Sequence, residues 1–437
     1  MRILYLATRE CWPLTTGARL RDYHLARELA ARCSLTYVGL HDPGEPEGQQ
    51  PPQDAGFAQN LSLVRERGFT ASKVIRGLAG PMPVTVLNYF SPGVQVELAE
   101  ILARGGFDTI QMEGVHLIGY LPIIRSAASR PAVLADWHNI ESELMHRYSA
   151  GASSLLRRVA ARRTAGLVRR AEDRLLAACD AHTVTSERER QQLSARAPDA
   201  RILVVPNGVE SGFYSGGEMA RDREEHGSGR SAKPSIVFVG SMDYHGNIDA
   251  VLWFAREVWP HLRRKYPNLY FTIVGRSPSA EVKSLASEGV EVTGTVDDVR
   301  PFYGRALAAV VPLRIAGGTR LKILEAMAAG VPVVSTRVGA EGLEVEDEQC
   351  ILLADTAGDM IAAIDRLVTS SATRQRLAEA GRSLVISKYD WSMLGAQIYD
   401  VHCELRAGQA GESETRRAAR SSIHRSTRPP SFFFRAR

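Results

Sequence analysis

Short apolar runs alternate with stretches whose apolar residues recur at helical spacing, from one end of the chain to the other. RILYLA (2–7) is followed by a loop with Pro13 and Gly17 and by RLRDYHLARELAAR, which has helical periodicity. LTYVGL (35–40), TIQME (109–113), AVLADW (132–137), AHTVTS (181–186) and ARILVVPNG (200–208) repeat the strand pattern, and a loop rich in Pro, Gly and Gln occupies 41–55. Runs that are apolar on both faces suit parallel strands covered by helices on each side. The polar, glycine-rich stretch 215–234 has no apolar period and reads as a linker. After it the alternation restarts with SIVFVG (235–240), a helix over 248–265, LYFTIVG (269–275), a helix over 279–287, VEVTG (290–294) and a helix over 299–306. AAVVPL (308–313), a helix over 319–329, VPVVST (331–336), CILLA (350–354) and helices over 357–369 and 371–387 follow. The fold class predicted is α/β, with two doubly wound parallel-sheet domains, 1–214 and 235–388, facing a cleft. Open parallel sheets bind ligands beyond the carboxyl ends of their strands, so the cleft is where chemistry is sought.

Composition narrows the picture. Hydrophobic residues at 44% and charged residues at 24% are those of a globular protein. The net charge of +5 sits in residues 411–437, where seven Arg face only Glu412 and Glu414; the rest of the chain sums to zero. That placement argues against a nucleic-acid binder. The tail, 408–437, is rich in Ser, Arg and Pro, and a disordered basic extension is predicted. Five scattered cysteines with no CxxC pair point to neither a disulfide framework nor a zinc site. No apolar run reaches the length of a membrane span, and MRILYLATRECWP reads as a buried strand rather than a leader, so a cytoplasmic protein is expected. Residues 153–176 carry seven Arg around a stripe of Leu155, Val159, Leu167, Ala171 and Leu175. This is either a solvated surface helix or one that meets an anionic membrane peripherally, at its inner face.

The segment PLRIAGGTRLKILEAMAAGVPVVSTRVGAEGL (312–343) carries the chemistry. Gly317 and Gly318 permit close backbone approach, Thr319 is a plausible N-cap, and the helix start offers unpaired N–H groups to an anion. Arg320 and Lys322 add positive charge, and Glu325 lies far enough along the helix to accept from a ribose. Leu321, Leu324 and Ala328 are the expected buried face, and Gly330 the stop. A nucleoside diphosphate would satisfy this arrangement; so would a capped helix whose charges face water.

GGTRLKILEAMAAGVPVVST resembles the donor-binding signature of glycosyltransferase family 4, whose members share the GT-B fold of two Rossmann-like domains. PNGVESGFY (206–214), HTVTSERERQQL (182–193), IVFVGSMDYHGNIDAVLWF (236–254), FTIVGR (271–276) and YDWSMLGAQIYDVHCEL (389–405) are similar to other family segments, in the family's order. The resemblance implies that the helix over 389–407 crosses back to the N-terminal domain. It implies a nucleotide-diphosphate sugar as donor, bound by Gly17, Gly240, Arg276, Gly318, Thr319, Arg320, Lys322 and Glu325. It implies Glu113, His116 and His138, at or after strand ends, as catalytic candidates, with Arg21 also near the cleft. A retaining transfer to a glycan or lipid-linked acceptor follows, in exopolysaccharide or other cell-surface synthesis, with no cofactor and no metal. Asp297–Asp298 is read as a loop cap. Two departures stand out: Gly317 replaces the first Glu of the family's Glu-x7-Glu motif, and SMDYHGN (241–247) lacks Lys and Arg. A nucleotide-sugar epimerase and a non-catalytic nucleotide-sugar binder are the alternatives.

Overall fold

The structure, a computed structural model, describes residues 1–437 apart from 45–49, 67, 152–154, 216–233, 316–319 and 427–437; side chains are also left undescribed over 147–157, at 215 and over 410–426. The linker over 215–234, Gly317, Gly318 and Thr319 thus lie wholly or almost wholly outside the described residues.

Two parallel sheets form the frame. In the first, β1 (Arg2–Ala7), β2 (Ser34–His41), β3 (Gln59–Val64), β4 (Thr109–Glu113), β5 (Ala132–Asp136), β6 (Ala181–Val184) and β7 (Ile202–Val204) adopt the order 3-2-1-4-5-6-7. In the second, β8 (Ser235–Val239), β9 (Tyr270–Val274), β10 (Val290–Gly294), β11 (Ala306–Val311), β12 (Val333–Ser335) and β13 (Leu352–Leu353) adopt 10-9-8-11-12-13. Every pairing within them is parallel. The apolar runs explain the centres: Ile3 to Ala7 and Ile236 to Phe238 are buried on both faces. Edge strand β3, QNLSLV, escaped the sequence reading because most of it is half-buried or exposed and polar.

Among the described residues, the chain near Val209 pairs with the chain near Tyr389. Val209 N donates to Tyr389 O at 2.8 Å, and Trp391 N returns to Val209 O at 3.2 Å. Val209 and Tyr214, read from the sequence as the end of the first domain, pack instead in the second core. The closing helix then lies on the first sheet: Trp391 stacks on His24, with ring centroids 5.2 Å apart. His402 bonds Thr109 Oγ1 at 2.8 Å and Gln111 Oε1 at 3.1 Å. That helix spans Trp391–Ser426, so 408–426, expected to lack regular structure, is helical. Ala, Glu and Arg, which favour helix, explain the extension. No helix among the described residues is long and apolar enough to cross a membrane.

The apolar stripe of the basic helix Leu155–Ala178 lies largely inward. Ala171 and Leu175 are buried in the first core, and Leu167 is buried as well. Of that stripe only Val159 is described as exposed.

Candidate functional site

A cavity of about 850 Å³ lies between the two sheets, at the carboxyl ends of their strands. The first half lines it with Gly17, with residues after β5 (His138 to Ile140), after β6 (Thr185, Arg188) and after β7 (Pro206, Asn207). The second half adds Gly240 after β8, Arg276 after β9, Val296 after β10, and Arg320, Lys322 and Glu325 after β11.

On the second wall, helix Leu321–Ala328 begins at the cavity, with Arg320 in the N-cap position and no side-chain cap. The Thr319 cap expected from the sequence is displaced by one residue. Leu321 faces the cavity rather than the core; Ile323, Leu324, Ala326, Met327 and Ala328 carry the burial. Gly330, at φ +65, ends the helix in the left-handed region that glycine tolerates. Lys322 Nζ donates to Asn247 Oδ1 and stands 4.7 Å from the centre of the Phe238 ring. Burial pulls its pKa down to about 8, against Glu325, which raises it, while Arg320 lowers it. Glu325 is pushed up by burial, with Lys322, Tyr214 and Tyr303 opposing.

Backbone proximity explains two glycines here. A Cβ on Gly275 would lie 1.8 Å from Gly240 O, and one on Gly240 would lie 2.9 Å from Asn247 Nδ2 and 3.1 Å from Lys322 Nζ. Only glycine lets the ends of β8 and β9 meet beside the ammonium. Arg276 Nε donates to Ser241 Oγ at 2.9 Å, and its guanidinium is half exposed at the rim. Arg320 pairs with Glu341 at 3.3 Å, and Glu341 also lies 3.9 Å from Arg188 of the opposite half. Asp298 accepts from Arg300 N at 2.8 Å, the loop cap read from the sequence.

On the first wall, His138 is the catalytic candidate that reaches the cavity; Glu113 and His116 do not line it. Glu113 is buried behind His138: Oε2 accepts from Thr8 N and Thr8 Oγ1, each at 2.7 Å, and Oε1 from Arg9 at 2.9 Å. Burial favours its neutral form, but Arg9, His138 and Thr8 outweigh this and hold its carboxyl below the usual range. His116 packs edge-on against Tyr89 at 5.1 Å, and burial drives it to about 4, so it is neutral. Arg21, also outside the cavity lining, is a buried clamp: two nitrogens meet Asp136 at 2.7 and 3.1 Å and a third donates to Pro206 O at 3.0 Å. Sequence reasoning missed Arg9, Asp22 and the role of Asn247, because their partners come from distant strands.

His138 has a carboxylate at each ring nitrogen. Nε2 is 3.3 Å from Asp22 Oδ1 and Nδ1 is 3.6 Å from Glu113 Oε1. Burial lowers its pKa, but Asp22 and Glu113 more than compensate and hold it at about 9. With a carboxylate facing each nitrogen, the ring holds a proton on both at neutral pH.

Two family models match the chain: Glycosyltransferase Family 4 over residues 17–212 and Glycosyl transferases group 1 over 233–370. The chain belongs to the family 4-like glycosyltransferases of GT-B fold. Over 221 residues, 49% of its length, it is 29% identical to the phosphatidyl-myo-inositol mannosyltransferase of Mycobacterium leprae and spans 56% of that protein. It spans about half the length of other curated relatives it matches. Among solved structures, sucrose-phosphate synthase from Thermosynechococcus elongatus superposes with a TM-score of 0.66 at 17% identity, covering 93% of this chain and 100% of that one. HepE of Anabaena, in complex with UDP, gives 0.62 at 15% identity, covering 92% and 100%. This family 4-like chain shares their two-sheet architecture.

Proposed function

We propose that this family 4-like chain transfers a hexose-type sugar from a nucleotide-diphosphate donor to a glycan or lipid-linked acceptor, with retention, in cell-surface or exopolysaccharide synthesis. One observation carries the reading: Arg320, Lys322 and Glu325 share a cavity at the facing carboxyl ends of two parallel sheets. The diphosphate lies against Arg320 and Lys322, near the start of Leu321–Ala328, and Glu325 accepts from the ribose. These charges, with Arg276 at the rim, stabilise the leaving diphosphate without a metal. The sugar C1–O bond to the diphosphate breaks while the acceptor oxygen bonds C1 on the same face, and the acceptor proton passes to the departing phosphate oxygen. That route asks for no enzymic nucleophile and no base from His138.

The mannosyltransferase relative is named for a lipid acceptor, and a basic, apolar patch on this chain fits a peripheral role at an anionic membrane. Phe69 and Ile75, next to and on helix Ala71–Ala79, and Val159 are exposed, and Arg163 of the basic helix bonds the carbonyl of Leu78. Absence of salt-sensitive sedimentation with anionic vesicles removes that part.

The test of function is a thermal-shift screen of nucleotide sugars, wild type against Lys322→Ala, followed by product analysis with acceptors. One donor class stabilises the wild type and not the variant, and the product keeps the donor's anomeric configuration. Free altered sugar without acceptor, or binding with no turnover across an acceptor panel, overturns the transferase reading.

A further inference from the structure

We propose that Asp22 is a positioning residue that keeps the His138 ring an imidazolium on the first wall of the cavity, so that the bound donor meets a fixed positive charge there instead of a base. The proposal rests on the transferase reading only for its consequence, not for its chemistry.

Charge balance leads to it. Asp22, Glu113 and Asp136, from helix Gly17–Ala30, β4 and β5, are all buried. Arg21 is taken up by Asp136, which also accepts from Thr183 Oγ1 at 2.7 Å. Arg9, on the loop after β1, is taken up by Glu113. Asp22 has no guanidinium against it among the described contacts, and His138 Nε2, 3.3 Å away, is the group that can carry the third positive charge. A buried carboxylate left without a counter-charge is strongly unfavourable.

The proton could instead sit on Asp22, whose pKa burial and Glu113 push up, but imidazole is the stronger base by about 2.6 pH units, and Glu113 Oε1, 3.6 Å from Nδ1, favours the charged ring further. Oδ1 is already an acceptor, from Tyr5 Oη at 3.1 Å, and faces His138. Asp22 Oδ2 and His138 Nε2 are both buried without a hydrogen-bond partner in the structure, so their side chains' 3.3 Å approach is a close ion pair rather than an aligned hydrogen bond. Asp136 Oδ2, 3.9 Å from Nε2, adds a third negative group, and His116 and Glu141 stand further out.

The same three ligand atoms of Asp22, Glu113 and His138 lie within 4.8 Å of one another and could hold a divalent cation. Two charges in place of one proton would leave the buried network with an excess positive charge, since Arg9 and Arg21 remain. The proton therefore suits the network better.

Nitrogen-15 NMR of histidine-labelled full-length protein, with His138→Gln to assign the signal, reads the ring directly. The wild-type ring is expected to be an imidazolium at pH 7.5 and to titrate near 9. In Asp22→Asn the midpoint falls by about one to two pH units, and Asp22→Glu recovers part of it. Under the transferase reading, the alkaline limb of kcat moves down in pH with the midpoint. A neutral wild-type ring at pH 7.5, an unchanged midpoint in Asp22→Asn, or a metal-bound signal on adding Mn²⁺ or Zn²⁺ at micromolar levels overturns the proposal. If Asp22→Asn fails to fold, the wild-type ring state and Asp22→Glu still decide. A chain that moves no sugar leaves the ring titration intact, so the two readings fail separately.

Discussion

Donor binding should take up a proton, and Lys322 is the reason. In the empty cavity burial holds its pKa at about 8, from an ordinary 10.5. That displacement amounts to about 3 kcal/mol of lost preference for the charged form. A diphosphate beside the ammonium restores the preference, so the pKa is higher in the complex than in the free protein. Below about 7 the lysine is protonated in both states and affinity is constant. Above 8 the free protein loses the proton while the complex keeps it, and affinity falls by about tenfold per pH unit until the bound-state pKa is passed. The full fall, were the ordinary value regained, is roughly 300-fold. The diphosphate diester of a nucleotide sugar does not titrate between pH 7 and 8.5, and a uracil or guanine base loses its N–H proton only above that span, so the slope there belongs to the protein. Titration calorimetry at pH 8 in buffers of different ionisation enthalpy should show uptake of about half a proton. Lys322→Ala abolishes the uptake at pH 8 and most of the slope between pH 7 and 8.5, the remainder belonging to His138, and weakens binding at pH 7 by about 10- to 150-fold, the worth of one charge-assisted bond. Equal affinity at pH 7 and 8.5 with no buffer-dependent heat at pH 8, or the same slope in the variant, refutes the reasoning.

Gly275→Ala drives a methyl into Gly240 O at 1.8 Å. It is expected to destabilise by about 1–3 kcal/mol and to weaken nucleotide binding; Gly166→Ala, helical with nothing within 4 Å, should stabilise by about 0.5–1 kcal/mol. Urea unfolding compares the two, and equal effects refute the proximity argument. Arg21→Ala strands Asp136 and is expected to lose about 3–5 kcal/mol, whereas Arg21→Met with Asp136→Leu recovers most of it; equal midpoints of the single and double variants count against the clamp. His24, His116, His182 and His402 are held by burial at about 3, 4, 4 and 3. The unfolded chain protonates them first, so stability falls below about pH 6.5, by up to roughly 5 kcal/mol per pH unit for the four together. His138 has the opposite sign: its contribution is complete below about 6.5 and fades as pH rises towards 9. Urea midpoints that stay level from pH 7 to 5 refute the burial of the four.

The α/β class and the place of the helix Leu321–Ala328 were legible in the sequence, because both are local. A run such as IVFV is apolar on every residue only when both faces of a strand are covered, and glycine, cations and an apolar face at helical spacing need only one stretch of chain. β3 was not legible, since a half-buried edge strand has no continuous apolar run. Nor was the demotion of Glu113 and His116. Each stands at or just after a strand end, where site residues concentrate, but whether a side chain faces the cavity or the layer behind it depends on its neighbours in space. Asp22 shows the same limit. It is one acidic residue in a helix until the order 3-2-1-4-5-6-7 brings the ends of β1, β4 and β5 together around it. Local period and composition are properties of a segment; the charge state of His138 is a property of groups more than a hundred residues apart in the chain.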